Sequence, residues 1–276
     1  MKPTTVTILI DNRCYKDNFL TEHGLSFWVE HAGYKILFDT GTTEKFAKNA
    51  EMLGIDVSKA DAIVISHGHY DHSGGLTAVV AGKAKIAMHP QALVKRYSCH
   101  PDKKAKDVSV PNSSRRIIES YIKESRYIAT EKATEIFCGI TASGTIPKEN
   151  SFEDTGGPFY FDTEKKAPDE IIDDQVLWLS TPKGIVIVSG CAHSGMINII
   201  NYTEKKTGQK VRAVIGGLHL VNADSNRITA TIEQIKKREI EILVPLHCTG
   251  DENIEILKKQ FPYSFRKLGA GDTISF

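Results

Sequence analysis

The chain has 276 residues, enough to bury a sizeable core as one layered α/β domain, and its formal charge of +1 gives no global attraction to nucleic acid or an anionic membrane. No apolar stretch reaches the roughly 18 residues of a membrane span, and the run Val6–Ile10 is too short for a signal-peptide core. The cysteines, Cys14, Cys99, Cys138, Cys191 and Cys248, are odd in number and lack paired spacing, which points to a reducing, cytoplasmic setting rather than a disulfide framework.

Strands are predicted near 4–12, 24–31 and 35–40, the last two joined by a turn at Ala32-Gly33. A helix follows, with Phe46, Ala50 and Leu53 on one face and Gly54 as its stop. The apolar run at 62–66 makes the next strand; a short helix near 75–81 and a strand at 85–89, closed by Pro90, complete the first half. Residues about 91–172 break the regularity. They hold one clear helix, capped by Asn112 or Ser113 with Ile117, Ile118, Tyr121 and Ile122 on one face, and a polar loop at Gly156-Gly157-Pro158. This stretch reads as an insertion capping the site. From Lys95 to Lys132 it carries ten Lys or Arg against five Asp or Glu, a surplus suited to an anionic substrate but equally to a solvated helix face. The second half repeats the logic of the first. A hairpin at 175–179 and 184–188 turns at Pro182-Lys183-Gly184. A helix with Met196, Ile199 and Ile200 follows, then a strand at 211–216, a helix with Ile228, Ile232 and Ile235, and a strand at 241–246.

The chemistry concentrates just past the ends of these strands. His67-Gly68-His69-Tyr70-Asp71-His72 directly follows the strand at 62–66. Residues two apart in extended chain face the same way, so His67 and His69 can grip one ion, while Asp71 and His72 fall on the turn beyond and suit a second. His193, His219 and His247 follow the later strands in the same way, and strand ends in α/β folds lie along one edge.

These motifs carry a resemblance. Lys35-Ile-Leu-Phe-Asp39-Thr-Gly41, Gly54-Ile-Asp56 and the stretch Asp61–Leu76 resemble the metallo-β-lactamase fold superfamily in order and spacing. Ser189-Gly-Cys-Ala-His-Ser-Gly195, Gly216-Gly-Leu-His-Leu220 and Leu246-His-Cys-Thr-Gly250 are similar to the branch of dihydropterin ribofuranosyl-aminobenzene 5′-phosphate synthase-like proteins. The resemblance implies an αββα four-layer sandwich over residues 1–276 with the cap at 91–172. It also implies two divalent metal ions, zinc first, with manganese or iron open. The candidate metal set is His67, His69, Asp71, His72 and His247 together with Cys191 and His193, with Asp71 also a proton acceptor, His219 either a ligand or a catalytic group facing substrate, and, as the resemblance implies, Asp39 orienting a ligand.

Two departures stand out. Many superfamily members place a histidine before the second-half hairpin, where this chain has Asp173-Asp174, and an aspartate after the following glycine, where it has Cys191. A thiolate at Cys191 and the imidazole of His193 are the replacements at hand, although Cys191 also fits as a small buried residue. His23, His31, His89, His100, Cys248 and Thr249 read as structure or surface. The expected activity is hydrolysis by a metal-bound hydroxide, on a phosphate or carboxylic ester rather than a β-lactam, with a small phosphorylated molecule as substrate. The branch offers an alternative, a synthase-like transferase joining a pterin to a ribosyl-aminobenzene phosphate. A diiron redox role is disfavoured because those relatives carry Glu where His69 stands, and nuclease relatives carry a domain not seen here.

Overall fold

The computed structural model describes residues 3–79 and 82–276. In chain order it runs β1 (Thr5–Ile10), β2 (Ser26–His31), β3 (Tyr34–Phe38), α1 (Lys45–Met52), β4 (Ala62–Val64), α2 (Tyr70–Ser73), β5 (Lys85–Met88), β6 (Tyr97–Ser98), β7 (Lys106–Asp107), α3 (Asn112–Lys123) and β8 (Tyr127–Ala129). It continues with β9 (Thr134–Phe137), β10 (Ile140–Ala142), β11 (Phe159–Tyr160), β12 (Val176–Thr181), β13 (Gly184–Ser189), α4 (Met196–Thr207), β14 (Val211–Gly217), α5 (Ser225–Arg238), β15 (Ile242–Leu246), α6 (Asp251–Gln260) and β16 (Thr273–Ser275).

Two sheets form the frame, ordered β16-β1-β2-β3-β4-β5-β8 and β15-β14-β13-β12-β10-β9. Their strands are apolar on both faces: β4 reads Ala-Ile-Val and β13 Gly-Ile-Val-Ile-Val-Ser, with every residue after Gly184 buried. Such strands must be covered on each side. Three apolar clusters do this. One lies between the sheets, with Phe27, Phe38 and Val64 meeting Leu177, Val188 and Ile215. Another packs Trp178, Ile187 and Val214 under Ile199 and Ile200 of α4 and Ile235 of α5. The third packs Leu37, Ile63 and Ile86 under Phe46 and Ala50 of α1 and Ile118 of α3. The result is the expected αββα sandwich.

The β2–β3 turn takes positive φ at both central residues, Ala32 (51°) and Gly33 (90°), the tight form that matches strand twist. The strands that deliver the site pair in parallel: β3 with β4, β13 with β14, and β14 with β15. Their C-terminal ends therefore open onto one edge.

Residues 91–172 do not form one insertion. Strand β8 adds to the first sheet beside β5, β10 adds to the second beside β12, and α3 covers the first sheet. Only β11-β6-β7 make a sheet of their own, over the site edge. Strands of two to four residues leave too little alternation to be read from sequence. Other differences are local. Helix α3 has Pro111 at its N-cap position with no side-chain cap, since proline's fixed φ favours a helix start, and Ile122 is exposed. The apolar stripe of α5 is turned so that Arg227 and Thr231 are buried with Ile235. The short helix expected near 75–81 is a 3₁₀ turn at Gly74–Ala78, and its last two residues lie outside the described ones.

Candidate metal centre

The edge brings together every residue singled out in the sequence as a metal or catalytic group. Beyond β4 the chain bends at His67-Gly68, is extended at His69 and turns into α2, which brings the His72 ring centroid within 4.4 Å of that of His67. Asp39, Ala192, His219 and His247 all hold positive φ (58°, 64°, 45° and 49°), which costs about 1–2 kcal/mol per non-glycine residue and marks backbone bent for a purpose. Glycines make room: a Cβ on Gly190 would sit 2.2 Å from Ser66 Oγ and 3.0 Å from Asp39 Oδ2.

The outer ring nitrogens fix what the inner ones present. Asp39 Oδ2 can only accept, so the hydroxyl of Ser66 donates to it at 2.7 Å and so does His72 Nδ1–H at 2.7 Å. With its proton committed, Ser66 Oγ accepts from His67 Nδ1–H at 2.9 Å. His193 Nδ1–H donates to the Thr155 carbonyl at 2.7 Å, and His247 Nδ1 pairs with Asn12 Oδ1 at 2.8 Å. Each of the four rings is thus tied outward and turns Nε2 inward.

Inside, donors crowd donors. His67 Nε2 lies 3.0 Å from His69 Nδ1, and with His193 these rings offer three nitrogens within 4.8 Å of one another. His193 Nε2 is buried without a partner. Alongside, His72 Nε2 stands 3.3 Å from His247 Nε2, and Asp71 Oδ2 lies 3.3 Å from His247 Nε2 and 3.8 Å from His72 Nε2. Cys191 Sγ is 3.1 Å from His72 Nε2 and groups with His67 as well, so it sits between the two sets.

Electrostatics follow from this packing. Burial, reinforced by neighbouring imidazoles, holds His67 and His193 well below the ordinary histidine range; burial and Arg96 do the same for His69. These rings are neutral with free lone pairs. Burial also lowers His247 to about 4 and, with Arg227, His219 to about 3. His72 runs the other way: burial opposes its charge, but Asp39 and Asp71 raise it to about 9. Against the upward push of burial, His72, His23 and His247 hold Asp71 well below the usual carboxylate range. A proton on His72 therefore sits where the site calls for positive charge.

His69, Asp71, Cys191, His193, His219 and His247 line a cleft of about 550 Å³, with His67 and His72 buried. Phe159 from β11 stands over His69 and His193, with ring centroids 5.0 and 5.3 Å away. Lys103, Lys104 and Lys106 line the cap wall, where Lys106 Nζ donates to the Tyr70 hydroxyl at 2.6 Å. The rest of the cap's basic surplus lies elsewhere. Arg96 is buried against Asp169 and Asp173, Arg115 reaches the Leu93 carbonyl, Arg126 binds the Gly82 and Ala84 carbonyls, and Arg116 is exposed away from the cleft lining.

The sequence profile described as the metallo-beta-lactamase superfamily matches residues 21–247. The chain belongs to this superfamily. It is 32% identical to a Methanocaldococcus jannaschii protein named 7,8-dihydropterin-6-methyl-4-(beta-D-ribofuranosyl)-aminobenzene-5′-phosphate synthase, across 98% of this chain and 95% of that one. Among solved structures it resembles Tm1679, described as a metal-dependent hydrolase of the beta-lactamase superfamily, with TM-score 0.83, 27% identity and 99% of both chains covered. Zinc-bound PqqB from Methylobacterium extorquens shares the fold, with TM-score 0.59 at 11% identity over 99% of this chain and all of that one.

Within this superfamily edge lie groups that sequence reasoning set aside. His23 Nε2 reaches Asp71 Oδ2 at 3.2 Å, although its side chain is 60% exposed. Cys248 places its sulfur within 4.8 Å of donor atoms of Cys191 and His219, and His100 lines the cleft. Adjacency to His247 was the available signal for Cys248; nothing in the local sequence marks His23. His31 and His89 do read correctly as structural, bonded to Thr4 and Thr145, and Thr249 accepts from Leu218 N–H.

Proposed function

We propose that this superfamily member is a hydrolase that holds two divalent cations, zinc first, and cleaves a small phosphate-bearing ester. The observation that carries the reading is the set of four histidines whose Nδ1 atoms are engaged outward while their Nε2 atoms converge, three of them on neutral rings and the fourth, His72, on a ring already held positively charged. Buried lone pairs that face one another are costly unless a cation joins them. His67, His69 and His193 would hold one ion, and Asp71, His72 and His247 the other, with the Cys191 thiolate between them. Nitrogen, oxygen and a single sulfur make a borderline donor set that suits zinc and admits manganese or iron.

Bound there, the ions would supply Lewis acidity and make a water molecule acidic near neutral pH. The protein's own residues do the rest. Asp39, Ser66, Thr155 and Asn12 fix the ring tautomers, so the donors need no reorganisation. Asp71 Oδ2, facing the cleft between His23 and His247, can take up a proton from attacking water. His219, kept neutral by burial, faces substrate as a hydrogen-bonding group. Lys103, Lys104 and Lys106 can pair with phosphate oxygens while Phe159 limits water above the floor. A neutral lactone or β-lactam gains nothing from that wall.

A second reading has specific support. The M. jannaschii relative is named a synthase, and the identity spans nearly all of both chains, which favours group transfer to a phosphate-bearing acceptor at the same edge. Both readings share the cations and the lysine wall. Protein purified without chelator should contain about two ions per chain and should hydrolyse phosphodiesters or phosphomonoesters in preference to thioesters, lactones and β-lactams. Turnover only when a pterin and a ribosyl-aminobenzene phosphate precursor are both present would favour the transferase. With cobalt as the probe, a thiolate-to-metal absorption band lost in Cys191→Ser supports Cys191 as a ligand, and a wild-type spectrum without it removes Cys191 from the set.

A further inference from the structure

Asp173, Asp174 and Gln175 immediately precede β12 and are 1%, 0% and 0% exposed. Three consecutive buried polar residues are expensive unless each is engaged, and here each engages a segment that carries a site histidine. Asp173 Oδ2 accepts the Gly68 N–H at 2.8 Å, the peptide between His67 and His69. Asp174 Oδ2 accepts the Ser194 N–H at 2.9 Å, directly after His193. Gln175 donates from Nε2 to the Ile65 carbonyl at 2.8 Å and from its backbone to the Ser66 carbonyl at 3.0 Å.

The far side of this group is fixed as well. Arg96, itself wholly buried, places Nη1 2.9 Å from Asp173 Oδ1, Nε 3.2 Å from Asp169 Oδ2, and donates from Nη2 to the Gln91 carbonyl at 3.0 Å. On this path position 68 admits only glycine, because a Cβ there would lie 2.0 Å from the Ala92 carbonyl oxygen.

We propose that Asp173-Asp174-Gln175 is a backbone brace, anchored by Arg96, that holds the His67–His69 segment and the His193 loop in register so that three imidazoles from the two halves can share one cation. These are positioning residues: they reach peptide groups rather than the ion. The brace occupies the chain position where a histidine was expected from the superfamily pattern and was not found. It also accounts for how His193, from a different loop, can complete the set. This inference rests on the two-cation reading.

The test uses the full-length protein. Amide exchange is followed in metal-free wild type, and zinc binding by competition with a chromophoric chelator is measured in wild type, Asp174→Ala and Asp174→Asn, with His193→Ala and His247→Ala identifying which ion is lost. The brace requires slow exchange at Gly68 and Ser194 before any metal is added. It requires Asp174→Ala to weaken the ion lost in His193→Ala by about 10-fold or more, as for other residues that orient metal-binding groups, while sparing the ion lost in His247→Ala. Asp174→Asn keeps an acceptor for Ser194 and should restore the affinity. Two ions bound with unchanged affinity in Asp174→Ala, or both weakened alike, would overturn the brace and leave the two-cation reading standing. Gly68 and Ser194 amides that exchange rapidly until zinc arrives would also overturn it. A wild-type protein that binds fewer than two ions overturns both.

Discussion

Replacing Arg96 with methionine should expose the cost of the buried charges around it. The guanidinium lies against Asp169 and Asp173, whose side chains are 2% and 0% exposed, and it is 0% exposed itself. Methionine keeps much of the volume and removes the charge, leaving two carboxylates that water does not reach. Breaking a buried ion pair by deleting one partner costs about 3–5 kcal/mol, and at about 2–4 °C per kcal/mol for a chain of this size the melting temperature should fall by roughly 6–20 °C. Metal-free protein should be used, so that loss of bound ions does not enter the measurement. Burial already raises the Asp169 carboxyl, against the pull of Arg96. Without the arginine that carboxyl can neutralise as the pH falls, so the deficit relative to wild type should shrink between pH 7 and pH 5. Arg96→Met combined with Asp169→Asn should recover part of the loss. A deficit below about 1 kcal/mol that does not change with pH would mean that water or the chain relaxes into the gap, and that the buried charges are not held as described.

His67→Ala and His72→Ala should each abolish activity while leaving the apolar clusters folded. They should lower bound metal to different extents, measured by elemental analysis, because they would serve different ions; full metal content in either would end the two-site assignment. Changing Lys103, Lys104 and Lys106 together to Ala should raise KM for a phosphorylated substrate several-fold, as should added salt, without altering turnover of a neutral ester; an equal response from both substrates would assign these lysines to general solvation. Burial lowers His31, which pairs with Thr4 Oγ1 at 2.7 Å, so the folded state prefers the neutral ring. Its contribution is complete above the unfolded pKa near 6.5 and is lost as pH falls below that value toward the depressed folded pKa. A His31→Gln protein should show a shallower loss of stability between pH 7 and pH 5 in denaturant titrations.

The frame of the sandwich was legible because its strands are apolar on both faces and its ligand motifs sit at strand ends, a pattern that survives without neighbours. What failed to read was everything set by partners distant in sequence. The three- and four-residue strands β8, β9 and β10 exist because a sheet edge is waiting for them, and the residues alone gave only an irregular stretch. Nothing in the residues around Arg96 marks it as buried, because its partners Asp169 and Asp173 lie more than 70 positions away. Within the basic surplus of residues 95–132, Lys103, Lys104 and Lys106 line the cleft whereas Arg115 and Arg116 do not; composition records a surplus of charge but not which way it points. His23 reaches Asp71 only because β1 and β2 bring its loop to the edge. Conversely, the meeting of His67, His69, Asp71, His72, Cys191, His193, His219 and His247 at one edge was legible, since each follows a predicted strand or an apolar run that ends there.

The inward-facing groups come from both halves of the chain: Cys191 meets His72 across 119 residues and His247 meets it across 175. A cation at this edge gains its full set of donors only once the two sheets have docked, so it can do nothing to nucleate either sheet. Its effect falls on the reverse step. By joining side chains that must part before the halves can separate, it acts as a clasp on the assembled state, slowing unfolding far more than it speeds folding. Protease resistance governed by the opening rate would then track metal content, and the thermal midpoint should rise with it.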